Sequence, residues 1–335
     1  MKKICELGEK EIIKSIIKPI LNPLNDPYLV GDDCAIIDIR GYDMVSISTD
    51  RVPADLISFQ NGIIDFFELG NYLAVLNISD IVSSGAKPYG LVLTFAFPDE
   101  FYVDDLKVLI EGVKYGCDKY DCKVLGGDLS HSIEMSISAT AFGLAKKDKV
   151  LFRRGSEVGD YLFCTDFIGL TSTAFYYILK AEPNGMCISD EERKLLFSVF
   201  RDPKARISQS VILSEISSYV TCMDNTDGVG QTFKELVEIN GAKFIIDIDR
   251  MPVHDISYKV AEYLNVDVNR MILDGGADFQ LLGSVRDCKV SDLSRWSGDF
   301  YIIGEILEGT GLWLKDNDGI EEYMDSGWNY FKSDN

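Results

Sequence analysis

Isolated aspartates recur where apolar segments of this sequence end. They stand in the segments GDD, ISTD, NISD, GGD and MDNTDG, and they are Asp32, Asp33, Asp50, Asp80, Asp128, Asp224 and Asp227. The ends of elements on a rigid sheet can present such side chains to one cleft. Several hard carboxylate oxygens that converge suit Mg²⁺, which takes one or two carboxylates together with substrate phosphates. The recurrence therefore predicts a magnesium site, although a simple turn explains GDD taken alone.

One of these aspartates stands in a segment with helical periodicity, ELGNYLAVLNISDIVSSGA. Asn77, Asp80 and Ser84 are spaced at i, i+3 and i+7, so they share one stripe of that helix. The stripe is either a solvated face or a face turned toward a ligand. Solvated stripes usually carry lysine and glutamate, so the short Asn-Asp-Ser series favours the second interpretation.

The segment LGGDLS adds two glycines, Gly126 and Gly127, directly before Asp128. Glycines let a backbone approach a phosphate closely, but a glycine pair alone is equally typical of a turn. The sequence has no GxxxxGK[ST], no GxGxxG after a strand and no DFG. If the chain binds ATP, it does so on a different scaffold.

Composition excludes several other classes of function. The chain has 335 residues and a net charge of −21, which argues against nucleic acid and anionic membranes as main partners. The eight cysteines form no CxxC pair and there are only two histidines, so a Cys/His zinc site is not expected. The N-terminus has no continuous apolar run of a signal peptide, and no stretch is apolar enough to span a membrane. We therefore expect a cytoplasmic protein.

The first half of the chain alternates strand and helix patterns. Residues 9–21 have a helical period, and CAIIDI and MVSIST read as two strands joined at residues 40–43. The helix that contains Asp80 is expected to close at Gly85. GLVLTFAF predicts a strand, VDDLKVLIEGVKYGCDKY a helix, CKVLGGD a short strand ending in glycines, and EMSISATAFGLA a further strand.

The polar stretch KKDKVLFRRGSEVGD predicts a domain boundary, with domains at 1–149 and 150–335. In the second half, YLFCTD and AKFIIDI are strand-like, whereas LTSTAFYYILKA and GQTFKELVEIN are helix-like. The long segment between them, 180–207, is expected to hold one helix. Both halves mix strands and helices, which predicts an α/β fold of the α+β kind in two domains.

Eight landmarks of this sequence resemble the thiamine-monophosphate kinase family, within the aminoimidazole-ribotide-synthetase-like superfamily. In order, they are GDDCAIID, STD, LAVLNISDIVSSGAKP, VLGGD, LFRRGSEVGD, MDNTDG, DGGADFQLL and GWNYF. They cover nearly the whole chain. The resemblance implies a PurM-like fold, with a mixed-sheet N-terminal domain that binds ATP and Mg²⁺ and an α+β C-terminal domain that completes the active site.

The same resemblance implies an activity and an assembly. The activity is an ATP- and Mg²⁺-dependent phosphotransfer that converts thiamine monophosphate and ATP into thiamine diphosphate and ADP. The assembly is a homodimer of N-terminal domains, with ATP in clefts beside the interface. Two alternatives stay open: a related kinase or ligase that acts on another small acceptor, and a non-catalytic nucleotide-binding homologue.

By match to the family, several residues acquire expected roles. Those expected to hold Mg²⁺ are Asp32, Asp33, Asp50, Asp80, Asp128 and Asp227. Those expected to bind the nucleotide are Thr49, Gly126, Gly127, Asp128 and Arg153. The residues expected near the transferred group are Asp224, Thr226 and Asp227, and those expected to bind the acceptor are Ser58, Phe59 and Trp328.

Departures from the family pattern are concentrated on the acceptor side. Ser58 stands near the position of a histidine, Tyr72 replaces a basic residue, Ala277 a glutamate and Tyr330 the terminal histidine. The metal and ATP landmarks are intact, so the resemblance supports phosphotransfer more strongly than it supports a particular acceptor.

Overall fold

The computed structural model describes residues 2–3, 6, 12–21, 23–24, 39–294, 300–317 and 319–323. The predicted strand CAIIDI and the site candidates Asp32, Asp33 and Trp328 lie outside these residues. The chain divides into two compact units. The first contains Met1–Val82, Ala86–Lys147 and Phe200–Ile207, and the second contains Ser83–Gly85, Asp148–Val199 and Ser208–Asn335. Across the described residues, no helix combines the length and the apolar character needed to cross a membrane.

The first unit is a four-stranded sheet with helices against one face. Its elements are a π-helical turn Ile13–Ile17, α1 (Lys18–Leu21), β1 (Met44–Arg51), α2 (Ile57–Gln60), α3 (Phe66–Ser83), β2 (Lys87–Phe97), α4 (Val103–Asp118), β3 (Lys123–His131) and β4 (Ser136–Ala145). The strand order is β1-β4-β2-β3, with β2 and β3 parallel and the other pairs antiparallel. This mixed sheet confirms the α/β prediction for the N-terminal half.

Glycines let the helices of this unit approach one another and the sheet. A Cβ atom added at Gly112 of α4 would lie 1.9 Å from the carbonyl oxygen of Phe67 on α3. A Cβ atom at Gly143 of β4 would lie 2.2 Å from the side chain of Ile81, also on α3. Helix α3 is therefore held close to both α4 and β4, which fixes the direction of its polar stripe.

The helix predicted over residues 9–21 is present over the described residues 12–21, with a π-helical turn at Ile13–Ile17. One local prediction for this unit is wrong in detail. The GGD strand does not end at its glycines but continues to His131, because β2 pairs with it in parallel along this length. Gly127 serves that pairing, since a Cβ atom there would lie 2.3 Å from the carbonyl oxygen of Leu93.

The second unit is a seven-stranded sheet with helices around it. The elements are β5 (Tyr161–Cys164), α5 (Leu170–Tyr176) with a π-helical extension Tyr177–Ala181, α6 (Asp190–Arg201), α7 (Ile207–Glu215), β6 (Val220–Asp224), α8 (Val229–Asn240), β7 (Lys243–Asp247), α9 (Asp255–Leu264), α10 (Val268–Leu273), β8 (Leu281–Val285), α11 (Asp287–Ser294), β9 (Tyr301–Leu307), β10 (Gly311–Lys315) and β11 (Ile320–Glu322). The order is β11-β10-β7-β9-β5-β8-β6, and only β7 and β10 pair in parallel among these strands.

The topology of the second unit brings three loops together at one end of its strands β5, β8 and β6. Strand β8 runs antiparallel to both of its neighbours, so Cys164 pairs with Leu282, and Asp224 pairs with Leu281. The last residues of β5 and β6 therefore lie beside the first residues of β8. The loops that follow β5 and β6 meet the loop that precedes β8, and the MDNTDG and GGADFQ segments are two of these three loops.

Candidate active site

Helix α3, which carries Asn77 and Asp80, begins at a capping box. The carboxylate of Asp65 accepts hydrogen bonds from the backbone N–H groups of Phe67 and Glu68, at 2.8 and 3.0 Å. The carboxylate of Glu68 in turn accepts from the N–H group of Asp65 at 2.9 Å. These bonds satisfy N–H groups that the first helical turn would leave unpaired, and they fix where the helix starts.

The polar stripe of α3 faces strand β1 rather than solvent. Asn77 is fully buried; its Oδ1 accepts from the N–H group of Asp50 at 3.0 Å, and its Nδ2 donates to the carbonyl oxygen of Leu73 at 3.0 Å. One turn further, the hydroxyl of Ser48 donates to Oδ2 of Asp80. The stripe is therefore not a solvated face at Asn77, and a role in a ligand site stays a prediction for Asn77 and Asp80.

Asp128 does not join this pair within one chain. Paired residues share a sheet face, and the row that contains Asp128 continues through Thr94 and Ser138 to Arg51. Asp50 lies one residue from Arg51 and so belongs to the opposite face. Three strand spacings of ~4.8 Å also separate the two strands, a distance of about 14 Å. The sheet therefore presents Asp50 and Asp128 on different faces and at different edges.

Thr49 and Gly126 share the face of Asp128. Thr49 pairs with Thr140 in β4, and its hydroxyl donates to the carbonyl oxygen of Ala139 at 2.9 Å. Among the described residues, no heavy atom lies within 4 Å of a Cβ atom added at Gly126, so the backbone there is open to that extent. A cavity of about 70 Å³ adjoins it, lined by Ile17, Leu21, Leu93, Phe95, Ile110, Gly126, Gly127, Asp128 and Leu129. This notch is too small for a whole nucleotide, whose pockets measure roughly 300 Å³ or more.

The donor chemistry at the α3–β1 contact fits Mg²⁺. The side chains of Ser48, Asp50 and Asp80 offer only oxygen atoms, the ligands that hard divalent cations prefer. Among the residues that the structure describes, no three His, Cys, Asp or Glu side chains come together as a complete ligand set.

In the second unit, the MDNTDG loop is bound to the GGADFQ segment. Asp224 ends β6 and is 1% exposed, whereas Asp227 and Thr226 are half-buried. Three backbone hydrogen bonds link the two segments: from residue 225 to 280 at 2.8 Å, from 279 to 225 at 3.0 Å and from 277 to 226 at 2.7 Å. A Cβ atom at Gly276 would lie 2.2 Å from the carbonyl oxygen of Thr226. The position of the predicted transfer loop is thus set by a segment about fifty residues away.

The GGADFQ segment holds two strained residues. Ala277 and Phe279 have φ angles of +63° and +54°, in the left-handed region. That conformation costs a residue with a Cβ atom about 1 kcal/mol. Between them, the carboxylate of Asp278 accepts from the N–H groups of Gly169 and Thr171, at 2.5 and 3.0 Å. Asp278 therefore caps the start of α5 and helps to hold the strained turn.

Asp278 and Gln280 are not among the residues that the sequence pattern predicts for the site. Gln280 is 3% exposed, and its side chain bonds to the loop after β5. The sequence feature that could have indicated both residues is their position in DGGADFQLL, one of the eight landmarks. Their roles depend on loops that are far apart in the sequence, which no local pattern reveals.

Arg153 lies on the surface of the second unit. Its guanidinium pairs with Glu235 of α8 at 3.3 Å, and its carbonyl oxygen accepts from Nδ2 of Asn240. Oδ1 of Asn240 also accepts from the N–H groups of Gly155 and Ser156, so the end of α8 fixes this loop. A phosphate would have to compete with Glu235 for the guanidinium.

The two described candidates for acceptor binding, Ser58 and Phe59, contact other residues of the first unit. Ser58 is 2% exposed, and its carbonyl oxygen accepts from the N–H groups of Ile63 and Ile64. The ring of Phe59 packs against Phe66 with centroids 5.1 Å apart. Both residues shape the segment that leads into α3.

Comparisons with known proteins agree with this architecture. Residues 31–145 match the family model described as AIR synthase related protein, N-terminal domain. The chain is 25% identical to a thiamine-monophosphate kinase of Pyrococcus abyssi over 98% of this chain and 97% of that one. It is 29% identical to that of Methanocaldococcus jannaschii over 90% of this chain and 94% of the relative. The structure of AaThiL complexed with AMPPCP and TMP has the same fold, with a TM-score of 0.72, 24% identity and 99% of both chains covered.

Proposed function

Because the chain is similar to thiamine-monophosphate kinases along nearly its whole length, we propose that it belongs to their family and transfers the γ-phosphoryl group of ATP to thiamine monophosphate, with thiamine diphosphate and ADP as products. The observation that carries this proposal is similarity to kinases of that name along nearly the whole of both chains. The neighbour solved with AMPPCP and TMP supports the same pair of substrates. The departures at Ser58, Tyr72 and Ala277 make the acceptor the part that most needs a direct test.

The acceptor chemistry needs little from a general base. A phosphate monoester has a second pKa near 6, so its oxygen is already anionic near neutral pH. The barrier is the approach of two anionic phosphates, and catalysis of such transfers is mostly positioning and charge neutralisation. The chain has a net charge of −21 and so cannot neutralise them by its overall charge. Local charge has to come from cations held at the site.

We propose that Asp50, Asp80 and Asp128, together with Asp32 and Asp33, hold Mg²⁺ on the phosphates of ATP. Bound Mg²⁺ supplies charge neutralisation to the phosphate oxygens. The buried amide of Asn77 fixes the backbone at Asp50, and Ser48 donates to Asp80, which orients that carboxylate. Thr49 and the open backbone at Gly126 lie on the sheet face of Asp128, where they would contact the nucleotide near that carboxylate.

In the second unit, the proposed transfer loop consists of Asp224, Thr226 and Asp227. Asp227 and Thr226 are half-buried at the sheet edge, where they can reach a substrate. Asp224 is buried at the end of β6 and holds the start of the loop. We also propose that Arg153 contacts a phosphate group and that Trp328 stacks on the ring of the acceptor.

The proposal includes a homodimer formed by the first units. Strand β1 pairs only with β4 within the described residues, and its Met44, Val45 and Ile47 side chains are 43, 43 and 64% exposed. Asp128 and Asp50 lie on opposite faces of one sheet. A second subunit against the exposed face would bring further site residues to Asp128 and would cover this apolar surface. We also propose a cytoplasmic location, supported by the use of ATP and by the six described cysteines, all of which are free.

The test is product analysis with purified protein, ATP, Mg²⁺ and thiamine monophosphate. We expect equal amounts of ADP and thiamine diphosphate, and at least a hundredfold lower rate for Asp227→Asn, given that a single group at such a site supplies roughly 10²–10³ in rate. A screen of other small phosphorylated metabolites runs in parallel. ATP consumption with one of these but not with thiamine monophosphate would establish the alternative kinase of the same superfamily.

A further inference from the structure

The buried side chain of Gln280 connects two segments by hydrogen bonds to the loop after β5. Its Oε1 accepts from the hydroxyl of Thr165 at 2.9 Å, and its Nε2 donates to the carbonyl oxygen of Phe167 at 3.0 Å. The hydroxyl of Thr165 also accepts from the N–H group of Leu281 at 2.9 Å. Both ends of the Gln280 amide are therefore satisfied, each by a partner in the same loop.

The main chain of Gln280 binds the transfer loop. Its carbonyl oxygen accepts from the N–H group of Asn225 at 2.8 Å, one residue after Asp224. The preceding residue, Phe279, donates its N–H group to the carbonyl oxygen of Asn225 at 3.0 Å. Gln280 thus joins the β5 loop through its side chain and the MDNTDG loop through its backbone.

The two partners of the Gln280 side chain require a group with one donor end and one acceptor end. Nε2 donates to a backbone carbonyl while Oε1 accepts from a hydroxyl, and only a group with one donor end and one acceptor end can do both. An ionised glutamate would place a carboxylate oxygen against the carbonyl oxygen of Phe167, with both atoms buried. A protonated glutamate would restore the donor.

Backbone strain in the segment that contains Gln280 increases the expected effect of losing its hydrogen bonds. Ala277 and Phe279, which precede Gln280 in the same segment, would relax toward ordinary backbone angles if the segment were released. Relaxation there would break the 279–225 and 277–226 hydrogen bonds that hold the transfer loop.

From these contacts we infer that Gln280 is a positioning residue for the Asp224–Asp227 loop. This inference rests on the proposed function for its catalytic consequence, but not for its structural one. Gln280 does not touch substrate; it acts by holding Asp227 where phosphoryl transfer requires it.

The experiment combines amide hydrogen exchange with kinetics on the full-length protein. The variants are Gln280→Glu, Thr165→Val as a milder removal of one bond, and Gln60→Glu as an exposed control for the added charge. At neutral pH we expect amides 224–228 to exchange at least tenfold faster in Gln280→Glu, while amides of β2 keep their wild-type rates. We expect the kcat to fall about tenfold, with the KM for ATP unchanged.

A pH series separates positioning from a general loss of stability. Relative to wild type at each pH, the exchange and kcat defects of Gln280→Glu should shrink as the pH falls, because the protonated carboxyl donates to Phe167 again. Thr165→Val has no group to protonate, so its defect should stay constant.

Unchanged exchange at 224–228 in both variants would overturn the inference, as would faster exchange with an unaltered kcat. If wild-type protein makes no thiamine diphosphate, the proposed function fails. The exchange data then still decide whether Gln280 holds the loop.

Discussion

At the scale of single residues, buried amides decide where the carboxylates of this protein lie. Asn77 is fully buried and ties the backbone of Asp50 to α3, while Ser48 on the same strand reaches Asp80. A buried amide is costly unless both of its ends are bonded, so these partners hold strand and helix at one separation. The helix that carries Asp80 is thereby held against the strand that carries Asp50.

Replacement of Asp80 by asparagine tests this site. The change preserves shape, and the amide oxygen can still accept from Ser48, but it removes one negative charge. We expect the Mg²⁺-dependent part of the ATP affinity to fall at least tenfold, which corresponds to ~1.4 kcal/mol. Calorimetry with ATP, in Mg²⁺ and in chelator, measures it. Asp190→Asn, an exposed change in the first turn of α6, is the control. Equal Mg²⁺ dependence in both variants would refute the assignment of Asp80.

At the scale of elements, helix α3 depends on its first turn. The Asp65 capping box satisfies the first N–H groups of this helix and sets where it starts. The helix is held by glycine-mediated contacts with α4 and β4, so a frayed start would also loosen that packing.

Asp65→Ala removes the two acceptor bonds at that start. Loss of such a cap destabilises proteins by about 1 kcal/mol, and we expect a decrease of this size in the free energy of unfolding of the first unit. Urea unfolding followed by fluorescence measures it, with the exposed Asp55→Ala as a matched control. The capping role fails if Asp55→Ala lowers stability equally.

Helices α6 and α9 are linked by an ion pair whose effect depends on pH. A hydrogen bond from Lys259 of α9 lowers the pKa of Glu192 on α6 from 4.5 to about 2. The folded state therefore favours the ionised carboxylate, and its stabilising effect is present above the unfolded pKa and is lost as the pH falls toward 2.

Glu192→Gln should remove this acid-dependent contribution. Between about pH 5 and pH 2, the wild-type unfolding midpoint should fall more steeply than that of the variant, although both pair members are at the surface and the difference will be small. Thermal unfolding across this range measures it, with Glu191→Gln as the neighbouring exposed control. Parallel pH curves for Glu192→Gln and wild type would show that the pair contributes nothing.

At the scale of the whole molecule, β1 lies at a sheet edge of the first unit among the described residues, with apolar side chains exposed. Edge strands with apolar side chains tend to pair or to be covered, and Ile47 is 64% exposed at the centre of β1. The same sheet separates Asp128 from Asp50, so a site that uses both needs a second surface.

Sedimentation tests the proposed dimer. We expect wild-type protein at micromolar concentration to have about twice the 37.5 kDa mass of one chain. Ile47→Asp should sediment as a monomer, because a carboxylate buried in an apolar interface loses its hydration. Val211→Asp, at a 59% exposed position of the second unit, should remain dimeric. A monomeric wild type would refute the dimer.

The sequence by itself determined much of this protein. Helical periodicity placed Asn77 and Asp80 on one stripe, and apolar runs placed most strands, because side-chain period depends only on local backbone geometry. The eight ordered landmarks indicated the resemblance to thiamine-monophosphate kinases, to which the chain is similar along nearly its whole length.

The tertiary structure alone decided how the landmarks combine. Because β3 pairs with β2, it continues past Gly126 and Gly127 to His131. The strand pairing also puts Asp128 on the sheet face opposite to Asp50. Contact between the MDNTDG and GGADFQ segments placed Ala277 and Phe279 in left-handed conformations and gave Asp278 and Gln280 their partners. These features depend on which distant segments meet, and that is settled by burial and hydrogen bonding over the whole fold rather than by any local pattern.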